Sequence, residues 1–399
     1  MTELGTRPLR DLCVFKHGGT PSKSNPSFWA GDIPWVSPKD MKQAVIDSAT
    51  DYIAAEAVAG SATSIVPSGS ILAVVRSGIL AHSFPIAQVA KPLAFNQDIK
   101  AVIPVSEAVD PHYLYWFLRS QARNVVTRGV KKGATVHSVQ SGFIENLQVP
   151  MRPREDQRRI VDLLARAEGI VRLRREAQQK AADLIPAIFI DMFGDPATNS
   201  KGWPVVPLGE VIKRGPSNGL YKHKSAYGAG TPILRIDGFY DGVITGLSQL
   251  KRVQLEDEDE LRRFALVEGD IVVNRVNSPE YLGKSAIVPR LAEPTVFESN
   301  MMRFGVDGSR VLPEFVIALL QQPASRRHLL ANAKHAINQS SINQQDVKSV
   351  PVPLPPVALQ QAFAQRIATV ASIRGQQAEA TSTAQASFDA LLAGAFRGA

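Results

Sequence analysis

The sequence has 399 residues, of which 44% are hydrophobic and 21% are charged, a balance typical of a folded protein of about two domains. No stretch approaches the roughly 18 apolar residues of a membrane span, and the N-terminus lacks a secretory signal, so we expect a cytoplasmic protein. The net charge of +8 suits a polyanionic partner, whereas the single Cys13 and the scattered histidines argue against a disulfide and a metal site.

The sequence contains an internal repeat, in which segments of the first half match segments about 200 positions later. The matched pairs are 8–12 with 207–211, 31–36 with 230–235, 67–72 with 267–272, 110–114 with 312–316, and 136–150 with 339–353. Because the offset is nearly constant, we interpret the pattern as one duplicated unit. The alternative is a set of unrelated short strand-turn patterns.

Each repeat begins with a mixed domain. Short β-branched runs, such as residues 70–75 and 270–273, are bounded by glycine and proline turns and predict strands. The dipeptides Asp110-Pro111 and Leu312-Pro313 each open an amphipathic helix, predicted at 113–119 and 315–321. The sequence therefore predicts two α+β domains of about 150 residues, each with a twisted sheet.

A long helix should follow each mixed domain, because prolines at 150–153 and 351–356 stop the preceding structure. Apolar residues then recur at the three- and four-residue spacing of one helical face. These are Ile160, Leu163, Leu164, Ala167, Val171, Ala177, Ala181 and Leu184, and then Leu359, Phe363, Ile367, Val370, Ala380, Ala384, Phe388 and Leu391. We expect an antiparallel, coiled-coil-like pair interrupted near Pro186; the alternative is that each helix packs on its own domain.

The predicted organisation has four segments in chain order. Residues 1–150 form the first mixed domain, 151–195 a central helical spacer, 196–352 the second mixed domain, and 353–399 a C-terminal helical spacer. A helix of about 30 residues spans roughly 45 Å, so an antiparallel pair would hold the two mixed domains apart in a pseudo-twofold arrangement.

These motifs resemble the specificity subunit of type I restriction-modification systems across nearly the whole chain. In the first half the similar stretches are Gly31-Asp32-Ile33-Pro34-Trp35-Val36-Ser37, Val136-His137-Ser138-Val139, Leu147-Gln148-Val149-Pro150, Asp156-Gln157-Arg158-Arg159-Ile160 and Phe193-Gly194-Asp195-Pro196. In the second half they are Asn274-Arg275-Val276-Asn277-Ser278, Glu298-Ser299-Asn300 and Gln339-Ser340-Ser341-Ile342-Asn343.

The resemblance implies that each mixed domain is a target recognition domain reading one half of a split, asymmetric double-stranded DNA site. It implies two modification subunits that methylate adenine, with restriction subunits carrying the motor and nuclease. S-adenosylmethionine, ATP and magnesium are then expected on those partners, with no cofactor on this chain. It also implies that the paired helices bind the partners, through Ile160, Leu163, Leu164, Val171, Phe363, Ile367 and Val370.

Candidate DNA contacts are polar and basic residues in turn-rich loops, because Arg and Lys pair with guanine or phosphate and Asn and Gln pair with adenine. In the first domain they are Lys23, Ser37, Lys39, Arg76, Asn96, Gln97, Arg128, Lys131 and Lys132. In the second they are Asn218, Lys222, Arg235, Asn274, Arg275, Asn277, Asn300, Asn338 and Gln339. The alternative for each is a solvated surface residue. The strongest candidate is 128–133, where cations alternate with glycines, whereas the acidic run 256–260 is expected to open an exposed helix.

A stand-alone DNA methylase or nuclease is the alternative function, and a non-DNA scaffold is another. Residues 25–28 (Asn-Pro-Ser-Phe) resemble the catalytic loop of adenine methylases but lack its second proline. Residues 98–100 (Asp-Ile-Lys) resemble half of a nuclease site without the preceding acidic residue. No phosphate-binding Gly-rich loop of a nucleotide-driven motor occurs. The sequence therefore favours a non-catalytic DNA-binding chain.

Overall fold

The structure, a computed structural model, describes residues 5–336 and 339–397. Contacts group the chain into unit 1, made of Met1–Arg175 with Glu379–Ala399, and unit 2, made of Glu176–Ala378. Each unit combines β-sheets with helices, which confirms the predicted α+β class.

Unit 1 contains the strand predicted at 70–75 and the helix predicted at 113–119 among the following elements. The strands are β1 (Thr6–Pro8), β2 (Cys13–His17), β3 (Ile33–Val36), β4 (Val45–Ile46), β5 (Asp51–Ile53), β6 (Ile65–Val66), β7 (Ile71–Val74), β8 (Arg76–Ser77), β9 (Ile86–Val89), β10 (Leu93–Phe95), β11 (Ile99–Pro104), β12 (Val130–Lys131), β13 (His137–Val139) and β14 (Gln148–Pro150). The helices are α1 (Ala55–Ala59), α2 (Pro111–Ser120), α3 (Ala122–Asn124) and α4 (Arg154–Ala182), whose residues beyond Arg175 belong to unit 2.

Unit 2 follows with its own set. The strands are β15 (Val205–Pro207), β16 (Ile212–Asn218), β17 (Tyr227–Leu234), β18 (Phe239–Tyr240), β19 (Gly242–Ile244), β20 (Lys251–Val253), β21 (Ile271–Asn274), β22 (Val276–Asn277), β23 (Ser285–Ile287), β24 (Val296–Phe297), β25 (Met301–Val306), β26 (Lys334–Ala336), β27 (Gln339–Ser341) and β28 (Pro351–Pro353). The helices are α5 (Leu184–Phe193), α6 (Glu258–Phe264), α7 (Pro313–Leu320), α8 (Pro323–Ala331), α9 (Gln344–Lys348) and α10 (Val357–Ala395), whose residues from Glu379 belong to unit 1.

The same sheets occur in both units, which confirms the duplication. The main sheet runs β2-β11-β7-β9-β4 in unit 1 and β16-β25-β21-β23-β19-β18 in unit 2. A second sheet, β5-β3-β10-β6, corresponds to β20-β17-β24, and the pair β1-β14 corresponds to β15-β28. A small sheet, β12-β13-β8, corresponds to β26-β27-β22.

Side chains of the central strand alternate between two cores, as the two-residue period of a strand requires. In β7, Ile71 and Ala73 face the core under α2, whereas Leu72 and Val74 face the core between the main and second sheets. Helix α2 begins after Asp110, whose carboxylate accepts a hydrogen bond from the His112 N–H at 2.9 Å. The aspartate cap and Pro111 therefore start this helix as the sequence predicted.

The two long helices run antiparallel within unit 1. Arg152, just before α4, donates to the carbonyl of Ala395 at 3.2 Å, and Arg175 donates to Gln385 Oε1 at 2.7 Å. Leu164 of α4 is buried in the same core as residues of α2 and the end of α10. The helices of unit 1 thus pack both on each other and on their own domain. Both predicted arrangements, an antiparallel pair and packing on the own domain, therefore occur in unit 1. No helix within the described ranges has the length and apolar character needed to cross a membrane.

Within unit 2, α5 packs against the first part of α10 through aromatic rings. The Phe193 ring lies 5.2 Å from Phe363 and 4.9 Å from Phe315 of α7. Helix α4 ends at Ala182, four residues before Pro186, because a proline has no N–H for that carbonyl and its ring clashes with it. Helix α5 ends at Phe193, and Gly194 then adopts a positive φ of 81°. The predicted interruption near Pro186 is confirmed.

Candidate nucleic-acid interface

The small sheet of unit 1 brings two predicted DNA contacts together. Lys131 of β12 pairs with Ser138 of β13, and Ser138 pairs with Arg76 of β8. Directly opposed residues of antiparallel strands project from the same face, so Arg76 and Lys131 flank Ser138. Both cations are exposed, and neither has a carboxylate partner among the described residues. This row, Arg76-Ser138-Lys131, is here called the basic row.

The loop before β11 lies next to the basic row. The carbonyl of Asp98 accepts hydrogen bonds from the N–H groups of Val75 (2.8 Å) and Arg76 (3.1 Å). Asn96 is buried, and its side chain binds both the N–H and the carboxylate of Asp98 at 3.1 Å, so this asparagine shapes the turn. Gln97 is exposed and accepts a hydrogen bond from Thr20 at 2.5 Å. Of this predicted pair, Gln97 is therefore presented beside Arg76, whereas Asn96 has a structural role.

The segment 128–133 presents its cations to solvent, but its glycines are required by close packing within the chain. Arg128 and Lys132 are exposed, like Lys131. Gly129 lies so close to the Phe143 ring that a Cβ would stand 2.6 Å from it, and at Gly133 a Cβ would stand 2.2 Å from the Val136 carbonyl oxygen. Packing within the chain, and not approach to a phosphate, is thus enough to require glycine at both positions.

The other unit 1 candidates lie outside the small sheet. Ser37 is buried, and its N–H and hydroxyl both donate to the Asp40 carboxylate at 2.9 Å. Lys39 forms an ion pair with Asp51 at 2.8 Å, and that hydrogen bond raises the pKa of the lysine. Lys23 is exposed in the turn before the 3₁₀ helix Pro26–Trp29. The structure does not join these residues to the basic row.

Unit 2 repeats the small sheet with different side chains. The carbonyl of Asn300 accepts from the N–H groups of Arg275 (2.9 Å) and Val276 (3.3 Å), as Asp98 does in unit 1. Val276 pairs with Ser341, which pairs with Lys334, so Lys334 stands where unit 1 has Lys131. The sequence predictions missed Lys334, although the offset of the repeat points to it.

Other predicted residues gather around this second small sheet. Asn277 of β22 pairs with Ser340, and its side chain accepts a hydrogen bond from the Ser278 N–H at 2.8 Å. Gln339 is exposed on β27, and the Arg275 guanidinium donates to the Ser299 carbonyl at 3.1 Å. Asn338 lies outside the described residues. The edge of unit 2 is therefore more neutral than that of unit 1.

Two predicted cations of unit 2 are held by carboxylates. Lys222 lies 2.8 Å from both Glu256 and Glu260, and these hydrogen bonds raise its pKa. Asp257 caps α6, which confirms that the acidic run opens an exposed helix. Arg235 pairs with Glu298 at 3.3 Å. Since both cations are neutralised within the chain, neither is free to balance a phosphate.

Two further candidates of unit 2 differ in their access to solvent. Asn218 is exposed at the end of β16. Asn274 is fully buried, and its amide atoms have no hydrogen-bond partner among the described residues. It occupies the position of Val74 in unit 1, as the matching backbone hydrogen bonds to Lys284 and Pro85 show. A residue so enclosed has no access to a base edge in this structure.

Most side chains of the predicted partner-binding stripe are used inside the chain. Leu164, Val171, Phe363 and Val370 are buried, and Ile160 and Ile367 are partly buried. Leu163 is 49% exposed, and the same helix exposes Ile170 and Leu173. Leu164 and Val171 belong to the core of unit 1 and Phe363 belongs to the core of unit 2, so much of the stripe serves packing within the units. Its exposed neighbours are the part available to a partner.

The two enzyme-like motifs have local structural roles. Asn25 caps the 3₁₀ helix Pro26–Trp29, and its side-chain oxygen accepts from the Ser27 N–H at 3.2 Å. Lys100 forms an ion pair with Glu145. Within the part of the chain that the structure describes, no group of three or more His, Cys, Asp or Glu side chains is placed to hold a metal.

Comparison with known proteins gives one family and several relatives. Residues 1–181 match the family described as "Type I restriction modification DNA specificity domain". The chain is 39% identical over 163 residues to the EcoR124I/EcoR124II specificity subunit of Escherichia coli, covering 41% of this chain and 40% of that protein. It is 25% identical over 263 residues to the MjaIX specificity subunit of Methanocaldococcus jannaschii, covering 59% and 58%. The match therefore spans less than two thirds of either relative.

Solved structures share the fold over nearly the full length. One, from a study of "complex assembly" and "conformational transition of the type I R-M system", has a TM-score of 0.63 at 20% identity and covers 99% of this chain and 98% of that one. Another, a type I restriction-modification S subunit from M. genitalium, has a TM-score of 0.53 at 12% identity, with 98% and 95% covered. At these identities the likeness shows the fold.

Proposed function

We propose that the whole chain is a target-recognition subunit of a type I restriction-modification system, because residues 1–181 match the type I restriction modification DNA specificity domain. Each unit reads one half of a split, asymmetric site in double-stranded DNA. Support for extending the role to unit 2 comes from its sheets, which share the strand order of unit 1 in their common strands and include the same three-stranded small sheet.

The observation that carries this proposal is the basic row with Gln97 beside it. Arg76 and Lys131 are exposed without carboxylate partners in the described ranges, and the backbone bonds at Asp98 place Gln97 at the same edge. Cations of this kind neutralise phosphates, and Arg or Gln side chains pair with base edges in the major groove. Unit 2 presents Lys334, Asn277 and Gln339 around the corresponding sheet.

The remaining activities belong to partners in this proposal. Two modification subunits methylate adenine with S-adenosylmethionine, and restriction subunits use ATP and magnesium to translocate and cut. This chain is non-catalytic, holds no cofactor of its own and works in the cytoplasm. The exposed Leu163, Ile170 and Leu173 of α4 form a surface suited to a partner helix.

DNA binding by the full chain, with its modification subunits, tests the proposal over a series of salt concentrations. We expect the double variant Arg76→Ala/Lys131→Ala to bind DNA more weakly. The negative slope of log K against log salt should become shallower by about 0.9 for each phosphate that is no longer neutralised. The charge-matched control is Lys42→Ala/Lys91→Ala, because both lysines are exposed and Lys91 follows β9 at the end of the sheet opposite Arg76.

A map of methylated adenines, made with and without this chain in the cell, identifies the site itself. The proposal expects a bipartite motif that disappears when the chain is deleted. Equal loss of DNA binding in the test and control variants, or methylation by the chain alone, would contradict it.

A further inference from the structure

Two glutamines occupy the same place in the two repeats. Gln157 is the fourth residue of α4, and Gln360 is the fourth residue of α10. Both are fully buried, which is rare for a glutamine. Each lies in the first helical turn after a proline-rich stop, where the long helix leaves its own mixed domain.

In unit 1, Gln157 ties the helix start to the loop before α2. Its Oε1 accepts a hydrogen bond from the N–H of Asp110 at 2.8 Å. Its Nε2 donates to the carbonyls of Ala108 at 2.9 Å and Arg152 at 2.8 Å. Both amide hydrogens and the amide oxygen are therefore used, and the planar amide joins three backbone groups from two segments.

In unit 2, Gln360 makes the same three bonds. Its Oε1 accepts from the N–H of Leu312 at 2.9 Å, and its Nε2 donates to the carbonyls of Arg310 at 3.1 Å and Pro355 at 2.9 Å. Asp110 and Leu312 are the residues that precede α2 and α7, so the partners correspond as well as the glutamines. The arrangement, here called the glutamine clamp, thus occurs independently in each unit.

Three hydrogen bonds on one planar, buried group allow few orientations, because a rotation that improves one bond breaks another. The clamp therefore fixes the direction of the helix relative to the domain that it leaves. Apolar packing alone is less directional, since van der Waals contacts tolerate small rotations. A residue needed for burial alone would be apolar at this position.

We propose that Gln157 and Gln360 are positioning residues that set the register between each recognition domain and its long helix, and thereby the fidelity with which the complex measures the gap between two half-sites. This inference rests on the proposed function. Neither glutamine touches DNA; each acts through the helix start that it holds.

Gap preference is the readout that separates positioning from simple stability. The full chain, with its modification subunits, is tested on duplexes carrying the mapped site with its native gap, with the gap changed by one or two base pairs, and with one half-site alone. We expect Gln157→Met and Gln360→Met, which keep side-chain volume, to reduce the preference for the native gap about tenfold, while half-site binding stays within about twofold. The controls are Gln361→Met, beside Gln360, and Gln179→Met, on α4; both side chains are exposed.

A second variant keeps the test valid if the methionine variants unfold. Gln157→Glu retains the acceptor for the Asp110 N–H but loses both amide donors, and its carboxyl regains one donor when protonated. We expect gap preference relative to wild type to recover as pH is lowered.

The outcomes separate the two proposals. Unchanged gap preference in all clamp variants, or equal weakening on every duplex including the half-site, would overturn the positioning role. If wild type itself binds all gaps equally, the proposed bipartite reading fails instead. Loss of gap preference with intact half-site binding supports both.

Discussion

The two units build the same fold with different interiors. In unit 2 the fully buried Asp270 accepts a hydrogen bond from Arg214 and lies 3.6 Å from Arg303, whose guanidinium also donates to the carbonyls of Ala265 and Arg263. Strand register gives the matching residues of unit 1: Ser70 matches Asp270, Val14 matches Arg214, and Ala101 matches Arg303. A charged cluster thus replaces small and apolar groups without changing the strand order, so topology follows the apolar pattern that the units share.

The recognition edges differ in the opposite sense. Within the described ranges, unit 1 leaves Arg76 and Lys131 without carboxylate partners, whereas unit 2 neutralises Lys222 and Arg235 with its own carboxylates. The small sheet of unit 1 therefore carries two exposed cations, Arg76 and Lys131, and the small sheet of unit 2 has Lys334 with Val276 where unit 1 has Arg76. We infer that unit 1 supplies more of the salt-sensitive affinity, and unit 2 more of the neutral polar contacts.

The largest expected effect is on the buried cluster. Asp270→Ala leaves Arg303 buried without its carboxylate, and such a loss costs about 3–5 kcal/mol. The free energy of unfolding of unit 2, followed by urea titration with hydrogen exchange on β21 and β25, measures it. The matched control is Ser70→Ala in unit 1, which we expect to be near neutral because the Ser70 hydroxyl has no partner among the described residues.

A double variant sharpens this prediction. Asp270→Ala combined with Arg303→Met removes both buried charges, so it should recover part of the lost stability. If Asp270→Ala alone costs no more than Ser70→Ala, the cluster contributes nothing and the contrast between the two interiors has no energetic content.

The second prediction concerns the paired and unpaired cations. Lys131→Ala should make the negative slope of log K against log salt shallower by about 0.9, as expected for the loss of one phosphate contact. Lys222→Ala should leave the slope unchanged, because Glu256 and Glu260 already neutralise that ammonium group. Binding titrations at several salt concentrations compare the two variants. Equal slopes for both would mean that the ion pairs of unit 2 open when DNA binds.

Much of the fold could be predicted because its signals are local. Helix α4 ends at Ala182, four residues before Pro186, and the Asp110 carboxylate caps α2 by accepting from the N–H two residues later. Both effects thus lie within about one helical turn of the residue that causes them. The site could not be predicted to the same degree. Lys222 meets Glu256 34 positions away, and Arg235 meets Glu298 63 positions away, so their pairing depends on the tertiary fold.

Burial was the other property that spacing did not reveal. Asn274 lies at the end of a strand, as Val74 does in unit 1. Because its side chain is polar, the sequence did not predict that it is buried. Gln157 was visible within a motif, but its three hydrogen-bond partners come from segments that only the fold brings together. Lys334 was within reach of the duplication alone, because it matches Lys131 at nearly the offset of the other repeats.

The smallest expected effect comes from the turn after β3 of unit 1, where a nearby carboxylate holds a backbone N–H. After β3 of unit 1, the Ser37 N–H donates to Asp40 at 2.9 Å, whereas after β17 of unit 2 the Ile236 N–H donates to the distant Glu298 at 2.6 Å. Burial raises the pKa of Asp40, but hydrogen bonds from Thr50 and Ser37 outweigh it, so the pKa lies below its usual value.

A carboxyl whose pKa is lowered by folding stabilises the protein above its unfolded pKa of about 3.9, and this contribution is lost as pH falls through the lower folded pKa. Asp40→Asn should therefore destabilise unit 1 at pH 7, and the difference from wild type should shrink as pH falls below about 4. Urea unfolding at pH 7, 5, 4 and 3 measures it, with the exposed Asp47→Asn as control. A difference that stays constant over this range would show that the local turn does not depend on the charge of Asp40, and that a neutral acceptor is enough for the Ser37 N–H.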